Sequence, residues 1–163
     1  MSNEIKARVL FVCMGNICRS PTAEGVFRQL LREAELDGQV ETESAGTHGY
    51  HVGRPPDPRA QEAARKRGVE ISDLRARQVE FSDYEYFDYL LAMDRGNLDI
   101  LLAEAPQAHR DKVRMYLEFA AEASQDEVPD PYYGGDRGFE RVLDLVEEGA
   151  RGFLEHLRRQ HGI

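Results

Sequence analysis

Apolar residues along this chain form short β-branched runs that alternate with longer stretches of three-four spacing. Arg8–Val12 (RVLFV) is the first run and predicts a buried strand. A polar loop, Cys13–Ser20, follows it and carries Gly15 and Asn16, residue types that tolerate positive φ. Ser20 and Pro21 then predict a helix start, with Ser as N-cap and Pro at the first helical position. Val26, Leu30 and Leu31 supply that helix with an apolar face. The alternation repeats. Val40–Ala45 predicts a second strand and Tyr89–Met93 a third, and Val113–Leu117 is a fourth candidate. Between them, a loop with Tyr50 and His51 leads to a helix that opens at Asp57-Pro58 and closes at Gly68. Asp94 caps another helix, running through Leu102. Beyond the loop Val128–Gly135, Phe139, Val142, Leu143, Val146, Ala150, Phe153, Leu154 and Leu157 mark one buried face of a long terminal helix.

Strands alternating with helices imply an α/β fold, a parallel doubly wound sheet in one domain over residues 1–163. Ligands of such sheets bind beyond the carboxyl ends of the strands. Cys13–Ser20, Tyr50, Asp94 and Asp130 all follow predicted strands and so can share that edge.

Composition narrows the classes. A chain of 163 residues with 41% hydrophobic and 31% charged residues reads as soluble and globular. No apolar run approaches the roughly 18 residues of a membrane span, so no membrane association is expected. The opening lacks the apolar core of a signal peptide, and the expected location is the reducing cytoplasm. Net charge −9 argues against nucleic acid. It does not exclude a phosphorylated substrate. Scattered charge is screened over about 8 Å, whereas one arginine about 4 Å from an anion contributes roughly 4 kcal/mol per unit charge.

The chemistry concentrates in CMGNICRS, Cys13 to Ser20. Its backbone can curl so that the amides of Met14, Gly15, Asn16, Ile17, Cys18 and Arg19 make an anion nest. The helix that follows adds its positive end, and the planar Arg19 fork suits phosphate oxygens. Cys13 opens the loop, where this field favours a thiolate. Ser20 can donate a hydrogen bond to that sulfur. A nucleophile beneath a phosphate cradle is a device for phosphoryl transfer to sulfur. Read only as packing, Cys13 would be a small buried hydrophobe. The strand before it, Gly and Asn inside and Ser-Pro after it favour the chemical reading.

CMGNICRSPTAE resembles the signature of the low-molecular-weight protein tyrosine phosphatases. The resemblance extends through SAGT (Ser44–Thr47), VGRPPDPRA (Val52–Ala60), ARQ (Ala76–Gln78), AMDRGNL (Ala92–Leu98) and DPYYGG (Asp130–Gly135). It implies a four-stranded parallel sheet flanked by helices, with a phosphate-binding loop between the first strand and first helix. It further implies hydrolysis of phosphotyrosine or small aryl phosphates through a phosphocysteine, with no cofactor and no metal. Cys13 would be the nucleophile, Arg19 the phosphate ligand, Ser20 the thiolate support, Asn16 the keeper of the loop's shape and Asp130 the general acid. A cognate tyrosine kinase would be a natural partner. One position departs from the family: Leu74 stands where members often carry a His that bonds the loop Asn, leaving Ser44 or backbone groups to support Asn16.

Expelling a phenolate near neutral pH needs a proton donor. Asp57 and Asp94 read more simply as helix caps. Asp130 lies outside the predicted helices, and Pro131 holds it extended. Tyr132 and Tyr133, with Tyr50 opposite, are candidate walls for an aryl ring, or else exposed loop aromatics. Cys18 is either a redox partner for Cys13 or a filler residue. The five histidines show no metal spacing and read as surface residues. Three other activities compete. A protein arginine phosphatase tends to carry Thr where Ile17 stands, a thiol-coupled arsenate reductase needs more cysteines downstream, and a non-catalytic phosphoprotein-binding module is disfavoured by the presence of Cys13, Arg19 and Asp130 together.

Overall fold

The computed structural model describes residues 4–121, 123, 125–133 and 135–163, the side chains of 133, 135 and 136 excepted. β1 (Ala7–Cys13) lies at the centre because nearly every residue in it is apolar, which suits a strand covered on both faces. It pairs in parallel with β2 (Val40–Gly46) on one side, from Ala7 opposite Val40 to Cys13 opposite Gly46. On the other side it pairs with β3 (Tyr89–Ala92), which in turn pairs with β4 (Val113–Met115). The order β2-β1-β3-β4 reverses direction at β1, so the crevice of the sheet opens at the carboxyl end of β1. The doubly wound sheet expected from the alternation is therefore present.

Period-two alternation divides β1 and β3 between two cores. Val9, Phe11, Cys13, Tyr89 and Leu91 face the layer of α1 (Arg19–Glu33), α2 (Pro58–Lys66) and α5 (Gly135–His161). Leu10, Val12, Leu90 and Ala92 face α3 (Asp83–Tyr86) and α4 (Arg95–Glu104) through Tyr84, Phe87 and Leu101. The apolar stripe of α5 is buried as its spacing predicts, from Phe139 to Leu157. Phe27 of α1, absent from the predicted face, is wholly buried between Phe11 and Phe153.

Several boundaries differ from expectation. α1 starts at Arg19, with Cys18 at the N-cap position and no side-chain cap. Ser20 sits inside the first turn because its hydroxyl is committed to Cys13 and Asn16 instead of a helix N–H. Pro21 is tolerated there, since first-turn N–H groups lack intrahelical partners in any case. β4 stops at Met115, and Tyr116–Phe119 turns into a 3₁₀ helix that buries Tyr116 against α5. β3 ends one residue early and α4 runs on to Glu104. Asp57 and Asp94 do cap α2 and α4, accepting from the N–H groups of Arg59 and Asn97. Gly68 follows α2 at φ +79°, the left-handed turn that a helix end needs and glycine allows. No helix among the described residues is long and apolar enough to cross a membrane.

Candidate active site

The loop between β1 and α1 is turned inside out by its surroundings. Its carbonyls point outward and are taken by other segments. Thr47 N–H donates to Cys13, His48 N–H to Met14, Asp57 N–H to Ile17, and the Thr22 hydroxyl to Cys18. Among the described residues, none of the N–H groups of 14–18 donates to another protein group. The inward ring of amides expected for an anion nest is thus left uncommitted. The approach is close: a Cβ on Gly46 would stand 2.7 Å from the Met14 carbonyl oxygen, so only glycine fits beside the loop.

Asn16 holds the turn at φ 57°, a conformation that Asn tolerates better than most residues. Its carbonyl oxygen accepts from the Arg77 N–H at 3.0 Å, while its amide donates to Ser20 at 2.8 Å and Ser44 at 3.0 Å. Ser44 and a backbone group therefore supply the support that Leu74 cannot give. Both amide hydrogens are spent, and the Ser20 oxygen is an acceptor on that side. Its own hydrogen is free for Cys13, whose sulfur lies 3.0 Å away. Cys13 is 2% exposed.

Arg19 is buried, and one of its guanidinium nitrogens, Nη1, is fully tied. It donates to Asp94 at 2.6 Å and to the Val128 carbonyl at 3.1 Å. Nε and Nη2 make no hydrogen bond among the described residues, leaving one edge of the fork for a ligand. Burial alone would lower Arg19, but the neighbouring Cys13, Asp94 and Asp130 outweigh it and hold the guanidinium above its ordinary value. Asp94, expected as a cap, caps α4 with one oxygen and holds Arg19 with the other.

A cavity of about 210 Å³ opens over this floor. Cys13, Met14, Gly15, Ile17, Cys18 and Arg19 line it from below, and Tyr50, Tyr132 and Asp130 from the sides. Asp130 accepts the Tyr132 N–H at 3.0 Å, and its other oxygen lies 3.8 Å from Arg19 Nη2. Tyr50 is 71% exposed and stacks on His48 with ring centres 5.1 Å apart. The Arg59 guanidinium covers Tyr132 at 5.3 Å from the ring centre. The Tyr133 side chain lies outside the described residues. Cys18 is reduced and buried, and burial, with Asp57 nearby, pushes its thiol well above the usual range.

Reasoning from sequence missed two contributors. His51, expected at the surface, is half-buried in the cavity wall and lies 2.9 Å from where a Gly15 Cβ would stand. Its place beside Tyr50 in the same loop was the available signal. Glu24 on α1 is buried and accepts from Ser44 at 2.7 Å. Nothing in the local pattern distinguishes it from a surface glutamate.

A family model described as low molecular weight phosphotyrosine protein phosphatase matches residues 8–162. A low molecular weight protein-tyrosine-phosphatase of Streptomyces coelicolor is 44% identical over 157 residues, covering 94% of each chain. The human low molecular weight phosphotyrosine protein phosphatase is 39% identical over 156 residues, covering 95% of this chain and 98% of its own. The crystal structure of a protein tyrosine phosphatase from Entamoeba histolytica superposes with TM-score 0.91 at 38% identity, covering 94% of this chain and 97% of that one.

Proposed function

The chain belongs to the low molecular weight phosphotyrosine protein phosphatase family, and from that premise we propose that it hydrolyses phosphotyrosine and small aryl phosphates through a phosphocysteine. The supporting observation is the placement of Cys13, 3.0 Å from a Ser20 hydroxyl free to donate, beneath uncommitted loop amides and beside the open edge of Arg19. Cys13 attacks phosphorus in line: the S–P bond forms as the P–O bond to tyrosine breaks. Arg19 and the loop amides hold the three equatorial oxygens. Asp130 gives its proton to the departing tyrosyl oxygen. It then takes a proton from water, which attacks phosphorus and releases inorganic phosphate and the Cys13 thiolate.

Tyr50, Tyr132 and Ile17 offer apolar surface to an aryl ring at the cavity mouth, which favours phosphotyrosine over phosphoarginine. A phosphotyrosine protein is the proposed substrate, and a tyrosine kinase the enzyme that must supply it. A cysteine nucleophile that has to remain reduced suits the reducing cytoplasm. Cys18 lines the same cavity and would attack the sulfenic acid of peroxide-oxidised Cys13, closing a reversible disulfide as water leaves. The test is turnover of an aryl phosphate by wild type and Cys13→Ser. Loss of at least about 10⁴-fold, with retained phosphate binding, is expected. Full activity in the variant overturns the nucleophile.

A further inference from the structure

Four side chains form an unbroken relay from α1 to the reacting sulfur: Glu24 accepts from Ser44, Ser44 from Asn16, and Ser20 accepts from Asn16 and faces Cys13. Hydrogen counting gives it one direction. Asn16 has two amide hydrogens, both used within the relay. Its oxygen is turned to the Arg77 N–H, so the amide cannot be reversed. Ser44 therefore receives from Asn16 and must send its single hydrogen to Glu24.

Glu24 is 7% exposed, and no ion pair reaches it among the described residues. Arg28 faces it from its own helix but is tied to Asp73 at 3.2 Å and to the Glu70 carbonyl. Glu43 on β2 and Asp73 in the segment after α2 face it with like charge. Leu74, in that same segment, offers no cation. An ionised Glu24 makes the Ser44 bond charge-assisted and about twice as strong as a neutral one. It also polarises Ser44 into a better acceptor for Asn16.

We propose that Glu24 is a positioning residue for the reaction, its carboxyl setting through Ser44 and Asn16 how firmly the loop and the Ser20 hydroxyl are held against Cys13. The proposal rests on the phosphatase reading for its meaning in catalysis, but not for its test. Losing the Glu24 proton tightens the clamp, and gaining it relaxes the clamp. Burial pushes this carboxyl up to about 7, so the change falls near neutrality.

The decisive measurement is the rate of Cys13 alkylation by iodoacetate against pH, for wild type, Glu24→Gln and Ser44→Ala. Gln keeps an oxygen for Ser44 without a titrating charge, whereas Ser44→Ala keeps the titrating group and cuts the relay. Wild type should show, besides ionisation of the thiol, a second step near pH 7 of about three- to tenfold, the scale of one hydrogen bond gaining charge assistance. Both variants should lose it. Superimposable curves for wild type and Glu24→Gln overturn the proposal, as does a step that survives in Ser44→Ala. The kcat of an aryl phosphate, measured alongside, should carry the same step with KM little changed. No turnover by wild type with the alkylation step intact would refute the phosphatase reading while leaving the relay standing.

Discussion

Cys13 and Asp130 face one cavity, yet the fold holds them by different means. The sulfur is 2% exposed at the end of the central strand, and the loop above it is fixed from four directions by β2, the segment before α2, α1 and Arg77. The Asp130 side chain is 34% exposed and is held by one backbone N–H and a 3.8 Å contact with Arg19. Under the proposed mechanism the contrast follows from what each would do. Stabilising a thiolate and a phosphoryl group requires dipoles fixed in place before reaction, since reorienting them costs energy at the transition state. A general acid must instead reach substrate oxygen and then water, and so stands where solvent can exchange with it.

After the loss of Cys13 itself, the acid half gives the largest expected effect. Asp130→Asn should lower kcat for phosphotyrosine by about 10²- to 10⁴-fold, and much less for an aryl phosphate whose leaving group needs no proton. Steady-state kinetics with two leaving groups checks this; equal losses would mean that Asp130 shapes the site and does not deliver the proton.

The loop half should respond in stability. Glu24 titrates at about 7 in the folded chain against 4.5 in its ordinary environment. The stability it contributes is therefore whole below about pH 4.5 and is lost as pH rises through 7, about 3 kcal/mol in all. Urea unfolding of wild type and Glu24→Gln across that window should show the wild type losing ground by this amount. A constant difference would mean the carboxyl stays solvated. Tightening the loop with an ionised carboxylate and losing global stability are compatible, because the charge is poorly hydrated where it sits.

The smallest effect concerns the residue between the two halves. Asp94→Ala leaves Arg19 Nη1 with the Val128 carbonyl as its one partner among the described residues and should reduce kcat by about tenfold, with weaker inhibition by inorganic phosphate, while removing a helix cap. Asp94→Asn keeps a capping oxygen, so comparison of the two separates the hold on Arg19 from the stability of α4.

Much of the first half was legible in the sequence because it is local. Strand, loop and helix are contiguous, so RVLFV, the run CMGNICRS and Ser-Pro together specify a buried strand, an anion-binding turn and a helix start. The resemblance to the family signature adds the roles proposed for Cys13, Arg19 and Asp130. The error over Ser20 is also local: an N-cap and a thiolate partner call for the same hydroxyl, and only the fold chose between them.

What the chain's order of residues determined by itself is the alternation of elements, the buried stripe of α5 and the gathering of Cys13, Gly15, Asn16 and Arg19 into one loop. Tertiary structure decided which distant segments close around them. Asp94, Val128 and Glu24 are set 75, 109 and 20 positions from the groups they hold. Such contacts depend on strand order and on which side chains are left without water, and a linear pattern of polarity carries neither. Leu74 makes the point: the resemblance flags a residue that cannot hydrogen-bond Asn16, but only the packed structure brings Ser44 and the Arg77 N–H to Asn16 and a buried carboxyl to Ser44.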